Sequence, residues 1–299
     1  MPANLKEVRE RITTVNNTQQ ITKAMKMVSA AKLRRAQQAI QEMRPYADKL
    51  NQMLRNILSN LEGEVFSVFS SERPVQKACL VVITSERGLC GAFNNNVSKA
   101  GAQLIDNELK ETYNSGELTI INIGKKGRDY FKKRYPNLNF NEEYVHLFDD
   151  LSFENVARVS QLLMDEFEAG GFDQVFVSYG KFKNPVVQTA IAEQFLPVPK
   201  MEGEGEESGM RADYIFEPTK EGLLEYLVPN ILKTQFHKYI LDTHASEHGA
   251  RMTAMDSATD NANELLKELK ISYNKARQEA ITTEILEIVS GAAALESGQ

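Results

Sequence analysis

Glycine is absent between Ala3 and Glu62, where Pro45 is the one proline, and residues 250–290 hold neither glycine nor proline. Those are the two residues that most strongly interrupt a helix, so both ends of the chain are expected to be long helices. In the first, apolar residues step by threes and fours through Leu5, Val8, Ile12, Val15, Ile21, Met25 and Val28, then Ile40, Met43, Leu50, Leu54, Ile57 and Leu61. The last segment repeats the pattern through Met255, Ala258, Ala262, Leu265, Leu269, Tyr273, Ala276 and Ala280. A stripe this narrow suits a coiled-coil seam, with Ala24, Ala31, Ala36 and Ala39 allowing close approach. A helix over residues 3–58 would run roughly 85 Å at 1.5 Å per residue, against a diameter of about 50 Å for a globule of this length, so the helices should project. Pro45 and Pro229 each remove a helix hydrogen bond and are expected to mark kinks.

The middle of the chain has a different texture. Residues 78–84 form a continuous apolar, β-rich run of the kind buried on both faces, and residues 118–123 and 174–179 resemble it. Helical patterns fall between these runs, over about 95–113, 125–134 and 152–169. Alternating strand and helix predict an α/β fold with a parallel or mixed sheet, a Rossmann-like unit. The stretch Met201 to Met210, with four glutamates among three glycines, reads as an acidic surface loop.

Composition narrows the function classes. With 42% hydrophobic and 25% charged residues the 299-residue chain is of ordinary globular type. No apolar run approaches a membrane span, and the first ten residues lack an apolar signal core, so a soluble intracellular protein is expected. Two cysteines, Cys79 and Cys90, supply neither a disulfide framework nor a four-cysteine zinc site. The net charge of −6 hides an asymmetry: residues 1–44 hold nine Lys or Arg against three Glu, a net +6.

Three patterns could carry chemistry. Thr84 to Asn94, with Gly88 and Gly91, is a glycine turn between a strand and a helix, where phosphate loops occur. Its spacing is not Gly-x-Gly-x-x-Gly, and Gly124-Lys-Lys-Gly127 has the wrong order for a P-loop, so a packing turn is the better reading. His244, Glu247 and His248 match the His-x-x-Glu-His arrangement of zinc hydrolases, with His237 seven residues back on the same face. The segment runs straight into a coil stripe, which favours polar coil positions and leaves zinc hydrolysis as the alternative. Lys23, Lys26, Lys32, Arg34 and Arg35 could meet phosphate or an anionic membrane, but no aromatic precedes Tyr46 to stack on bases. A coil seam with a charged outer face, touching an acidic protein partner and not nucleic acid, accounts for them better.

Together the residues carry a family resemblance. Leu5 to Ile12, Gln20 to Val28, Ala31 to Arg35, Ser85-Glu-Arg-Gly-Leu-Cys-Gly91, Ala250 to Met255, and Tyr273 to Gln278 with Ile288 to Leu295 resemble the gamma subunit of the rotary, F-type ATP synthase. Ser246-Glu-His248 also fits that family's pattern. The resemblance implies an antiparallel coiled coil of the terminal helices (1–62 and 218–299) with an α/β foot domain (74–217). It implies a rotor without catalytic residues or cofactors, working in proton transport. Its coil would stand among three alpha and three beta subunits, and its foot, with the epsilon subunit, on the membrane ring of c subunits.

By motif position Met25 would face the beta subunit, and Arg251, Gln278, Thr282 and Glu284 would be further beta-subunit contacts. The chloroplast form carries a regulatory dithiol in an inserted segment; residues 201–209 here hold glutamates and no cysteine, so thiol control is not expected. No transit peptide is apparent. The expected place is therefore peripheral, on the cytoplasmic face of a bacterial inner membrane, without direct insertion.

Overall fold

A computed structural model describes residues 5–59, 68–71, 73–198 and 220–296. The acidic stretch Met201 to Met210, Leu61 and the side chains of Leu54 and Ile57 lie outside the described residues. The chain divides into two compact units: Ser29–Arg251, and a helical unit of the residues before 29 with those after 251.

Ser29–Arg251 is built on a five-stranded sheet in the order β3-β2-β1-β4-β5. The strands are β1 (Ala78–Ile83), β2 (Leu118–Ile123), β3 (Asn139–Asn141), β4 (Gln174–Phe182) and β5 (Gln188–Leu196). β1 pairs in parallel with β2 and β4, β2 with β3, and only β5 runs antiparallel, against β4. Helices α2 (Phe93–Asn107), α3 (Lys110–Asn114), α4 (Lys125–Arg134) and α5 (Phe153–Glu168) connect the strands. Crossovers of this kind place helices on both faces, which is why β1 has to be apolar throughout. Its alternate residues part accordingly. Cys79, Val81 and Ile83 pack with Leu163 and Phe167 of α5 and with Phe236 and Ile240, whereas Leu80 and Val82 pack with Val97, Ile105 and Phe131. All six β1 residues are fully buried, each large side chain contributing roughly 1.5–3 kcal/mol.

The N-terminal helix α1 spans Leu5–Ser59 and the C-terminal helix α6 spans Lys220–Glu296, and each runs unbroken through its proline, Pro45 and Pro229. The inward positions of α1 are Val8, Ile12, Val15, Gln19, Thr22, Lys26, Ser29, Leu33, Ala36, Ile40, Met43, Ala47 and Leu50. They alternate steps of four and three, the heptad period of a coiled coil. This corrects the expected stripe. Ile21 and Val28 are 59% and 58% exposed, and the seam passes through buried Thr22 and Ser29 instead. Ala36 lies in the seam, while Ala24 and Ala31 are exposed. On α6 the buried leucine is Leu266, not Leu265. Hydrophobicity alone misassigns these positions because a supercoiled pair keeps its register by spacing, whatever residue arrives there.

Within the helical unit the pairing is antiparallel. Gln19 Nε2 donates to Asn263 Oδ1 at 2.6 Å, Thr22 and Thr259 share a hydroxyl hydrogen bond of 2.8 Å, and Lys26 forms an ion pair with Asp256. Partners fall in number along α6 as they rise along α1, and with Ser29 four successive seam positions of α1 are polar. Among the described residues, no helix is long and apolar enough to cross a membrane.

Candidate functional site: the helix that fills the sheet crevice

In open α/β sheets ligands bind outside the carboxyl ends of the strands, where the strand order switches direction. Here that point lies between β1 and β4, and α6 occupies it. The Ser246 hydroxyl donates to the Gly180 carbonyl at 3.0 Å, and the Gly180 N–H donates to Thr243 Oγ1 at 3.3 Å. Gly180 is required by this approach, because a Cβ there would lie 2.5 Å from the Phe93 ring and 3.2 Å from the Ser246 Cβ. Thr243, Ala245 and Ser246 are completely buried.

The glycine turn after β1 closes on itself. The Ser85 N–H donates to Asn94 Oδ1 at 2.9 Å, the Ser85 hydroxyl donates to the Arg87 carbonyl at 2.6 Å, and Leu89 and Gly91 take positive φ. Its outward groups have the wrong polarity for phosphate. The carbonyls of Arg87 and Gly88 point at Arg251, whose guanidinium donates to them at 3.0 and 3.2 Å and to Glu247 Oε1 at 2.5 Å. A phosphate loop offers N–H groups; this one offers carbonyl oxygens and holds a cation.

Arg251, expected to face a partner, is therefore 93% buried against its own chain. Burial raises the Glu247 carboxyl, and Arg251 pulls it back down. His248 continues the network, with its Nδ1 3.2 Å from Arg251 Nη1 and its Nε2 3.1 Å from His244 Nε2. A guanidinium only donates, so His248 Nδ1 accepts. Its Nε2–H then donates to His244 Nε2, and the His244 proton sits on Nδ1. Both rings are neutral. Burial, reinforced by Lys32 and Arg251, lowers His244 to about 4, and burial with His244, Arg251 and Lys32 as neighbours lowers His248 to about 2. His244 also stacks on Phe148 at 5.9 Å.

This network overturns the zinc-hydrolase alternative. The Glu247 carboxylate is held by Arg251, and both His248 nitrogens are engaged. His237 sits apart, facing the Leu151 carbonyl at 3.3 Å and the edge of Phe153. Among the described residues the one convergent set of three such side chains is Glu86, His146 and Asp149, which includes none of the four residues expected from the motif.

The two imidazoles set the sign of a pH effect. Their folded pKa values lie below the unfolded value near 6.5, so the stability they permit is complete above that pH and is lost as pH falls towards 4 and below. For His244 the loss by pH 4 is about 3 kcal/mol. Urea unfolding of the chain across this range should show it, and the variant H244Q/H248Q should have a flatter profile over the same window.

The other expected residues lie in the helical unit. Met25 is half-buried beside Lys26. Gln278, Thr282 and Glu284 are exposed, with the Thr282 hydroxyl donating to the Gln278 carbonyl at 2.9 Å. Residues 277–293 of α6 are all exposed, among them Ile281, Ile285, Leu286, Ile288 and Val289, each between 47% and 71%.

A sheet whose ligand crevice is filled by its own helix, and a heptad pair whose second helix ends in apolar residues exposed among the described residues, define a protein of α/β and coiled-coil parts. Comparison with known proteins places it further. The family model described as ATP synthase matches residues 4–295. The ATP synthase gamma chain of Cytophaga hutchinsonii is 51% identical over 298 residues, covering 99% of this chain and all of the relative. That of Flavobacterium johnsoniae is 52% identical over 293 residues, covering 98% and 99%. A chain of the Euglena gracilis mitochondrial ATP synthase (OSCP/F1/c-ring, rotational state 3) has the same fold, with a TM-score of 0.66, 22% identity, and coverage of 98% of this chain and 95% of that one. The chain belongs to the ATP synthase gamma chain family. As a member it is a non-catalytic subunit.

Proposed function

We propose that the chain is the central rotor shaft of a proton-translocating ATP synthase, coupling rotation of a membrane c ring to sequential conformational change of catalytic beta subunits. The observation that carries this reading is the exposed run 277–293, which keeps five large apolar side chains in water and calls for a surrounding protein surface. A sleeve of alpha and beta subunits would supply it, with Gln278, Thr282, Glu284 and Met25 as beta-subunit contacts. Arg251 joins that set less directly, since its guanidinium is spent inside the chain and it would act by holding α6 in place. Residues 1–62 and 218–299 form the shaft in this reading, and 74–217 the foot, resting with epsilon on the c ring. The boundaries themselves fall near or within residues outside the described set. The complex would lie peripherally, on the cytoplasmic face of a bacterial inner membrane. Coupling would pass through packed helices, not through a ligand. Purified chain mixed with its own organism's alpha and beta subunits should give a complex holding three of each per copy of this chain. A single alpha–beta pair per copy would refute the reading.

Met25 supports a second test. Lysine there would set another cation beside Lys23 and Lys26, where Lys26 already pairs with Asp256. In the assembled complex M25K should slow turnover and reduce the protons moved per ATP hydrolysed while leaving assembly intact, because an added ion pair to an acidic partner loop must break at each step. Unchanged pumping stoichiometry would remove Met25 from the contact.

A further inference from the structure

A cleft of about 750 Å³ opens within Ser29–Arg251 between α1, α6, the end of β4 and Glu193 of β5. Asp242 of α6 lines it. This residue is 94% buried, yet among the described residues its carboxylate receives no hydrogen bond and has no cation within 4.0 Å. Burial raises its carboxyl to about 6 despite the pull of Lys238, Lys181 and Arg44. Burying most of an unpaired carboxyl side chain works against folding, and the Asp242 oxygens keep their residual exposure towards the cleft. Glu193, the neighbouring acid, is different: the Tyr179 hydroxyl donates to it at 3.4 Å, and Tyr239 bonds to it as well.

Around Asp242 the cleft gathers Arg44 from α1, Lys181 from β4, Lys183 just beyond it, and Lys238 from α6, with Asp48 on the α1 side. This pattern selects a ligand chemistry. A simple cation would meet four positive side chains, and a simple anion would satisfy those but face Asp242 with like charge. A molecule that brings an anion to the cations and hydroxyl donors to the carboxylate satisfies both. A ribose diol is such a donor pair for a buried acid, as at dinucleotide sites, and the volume is that of an ordinary small-molecule pocket.

We infer that this cleft binds a phosphorylated ribose, its phosphate on Arg44, Lys181, Lys183 and Lys238 and its diol on Asp242. The site is separate from the rotor reading, since it involves neither the exposed end of α6 nor any partner.

Calorimetric titration of the full chain, purified free of other subunits, tests it with three probes: ADP, ribose 5-phosphate and inorganic phosphate. Saturable binding of one ADP or one ribose 5-phosphate per chain is expected, the tighter of the two identifying whether a nucleoside or the bare sugar phosphate is the source. D242N should weaken that binding at least roughly tenfold, by losing a charge-assisted acceptor. The same variant should melt at or above the wild-type temperature at neutral pH, so that lost binding cannot be ascribed to lost folding. K181Q, at an exposed position, should weaken binding and lessen its dependence on salt. Failure of both ribose probes to bind, inorganic phosphate binding as tightly as either, or an affinity indifferent to D242N would each overturn the inference.

Discussion

A disulfide between a cysteine placed at Glu284 and one on the facing surface of a beta subunit should abolish multi-site ATP turnover, with reduction restoring it. A shaft must change beta-subunit partners in every cycle, and a covalent bond forbids the exchange. The position matters. Glu284 precedes Gly291 and its run of alanines, a weakly anchored end that could unwind and let the rest turn while tied. The native cysteines add little background, since Cys79 and Cys90 are both buried and burial pushes the Cys79 thiol well above its ordinary range. The measurement is steady-state ATPase with and without reductant at near-complete cross-linking, alongside a control disulfide joining the Gln19 and Asn263 positions of the chain's own helix pair. Full activity in the cross-linked complex, with the helix shown still wound, would exclude rotation.

Replacing Arg251 by methionine should cost the chain about 3–5 kcal/mol, the usual penalty for stranding one member of a buried ion pair. Methionine keeps most of the aliphatic bulk, so the loss isolates the charge. Glu247 would be left 93% buried without its counter-ion, and the Arg87 and Gly88 carbonyls without their donor. E247Q/R251M should recover part of the loss, because the stranded carboxylate is the larger share of it. Urea unfolding of the three proteins decides the matter; a single variant within about 1 kcal/mol of wild type would mean that the buried network is not holding α6 to the loop.

The long helices could be read from where glycine and proline are missing, and β1, β2 and β4 from apolar runs that only a doubly covered strand needs. Two strands escaped. β3 is three residues, two of them asparagine, and β5 is an edge strand whose half-buried residues make no run. The coil register departs from hydrophobicity at Ile21, Val28 and Leu265 because the seam accepts polar residues, of which Gln19, Thr22 and Lys26 have cross-helix hydrogen bonds or an ion pair that make them tolerable. Arg251 was legible as a conspicuous cation but not as a buried one, since the loop it holds lies more than 160 residues away in sequence. His244 and His248 matched a metal motif because i,i+4 spacing brings two rings together whatever holds them. Asp242 was not legible, because Lys238 one turn back on α6 reads as its ordinary i,i+4 partner and the other two cations beside it, Lys181 and Arg44, come from β4 and α1.

The approach of α6 to Gly180 has a mechanical meaning. A helix anchored only through a loop would take up load slowly, as the loop straightened. Here Ser246 and Thr243 grip Gly180 near the end of β4, which is paired there with Ala190 of β5 and, over residues 174–178, with β1. A torque on the sheet therefore reaches this stretch of the helix through stiff, short connections with almost no slack. Any shear between them must break both hydrogen bonds to Gly180 together, before a single hinge residue could relieve the strain.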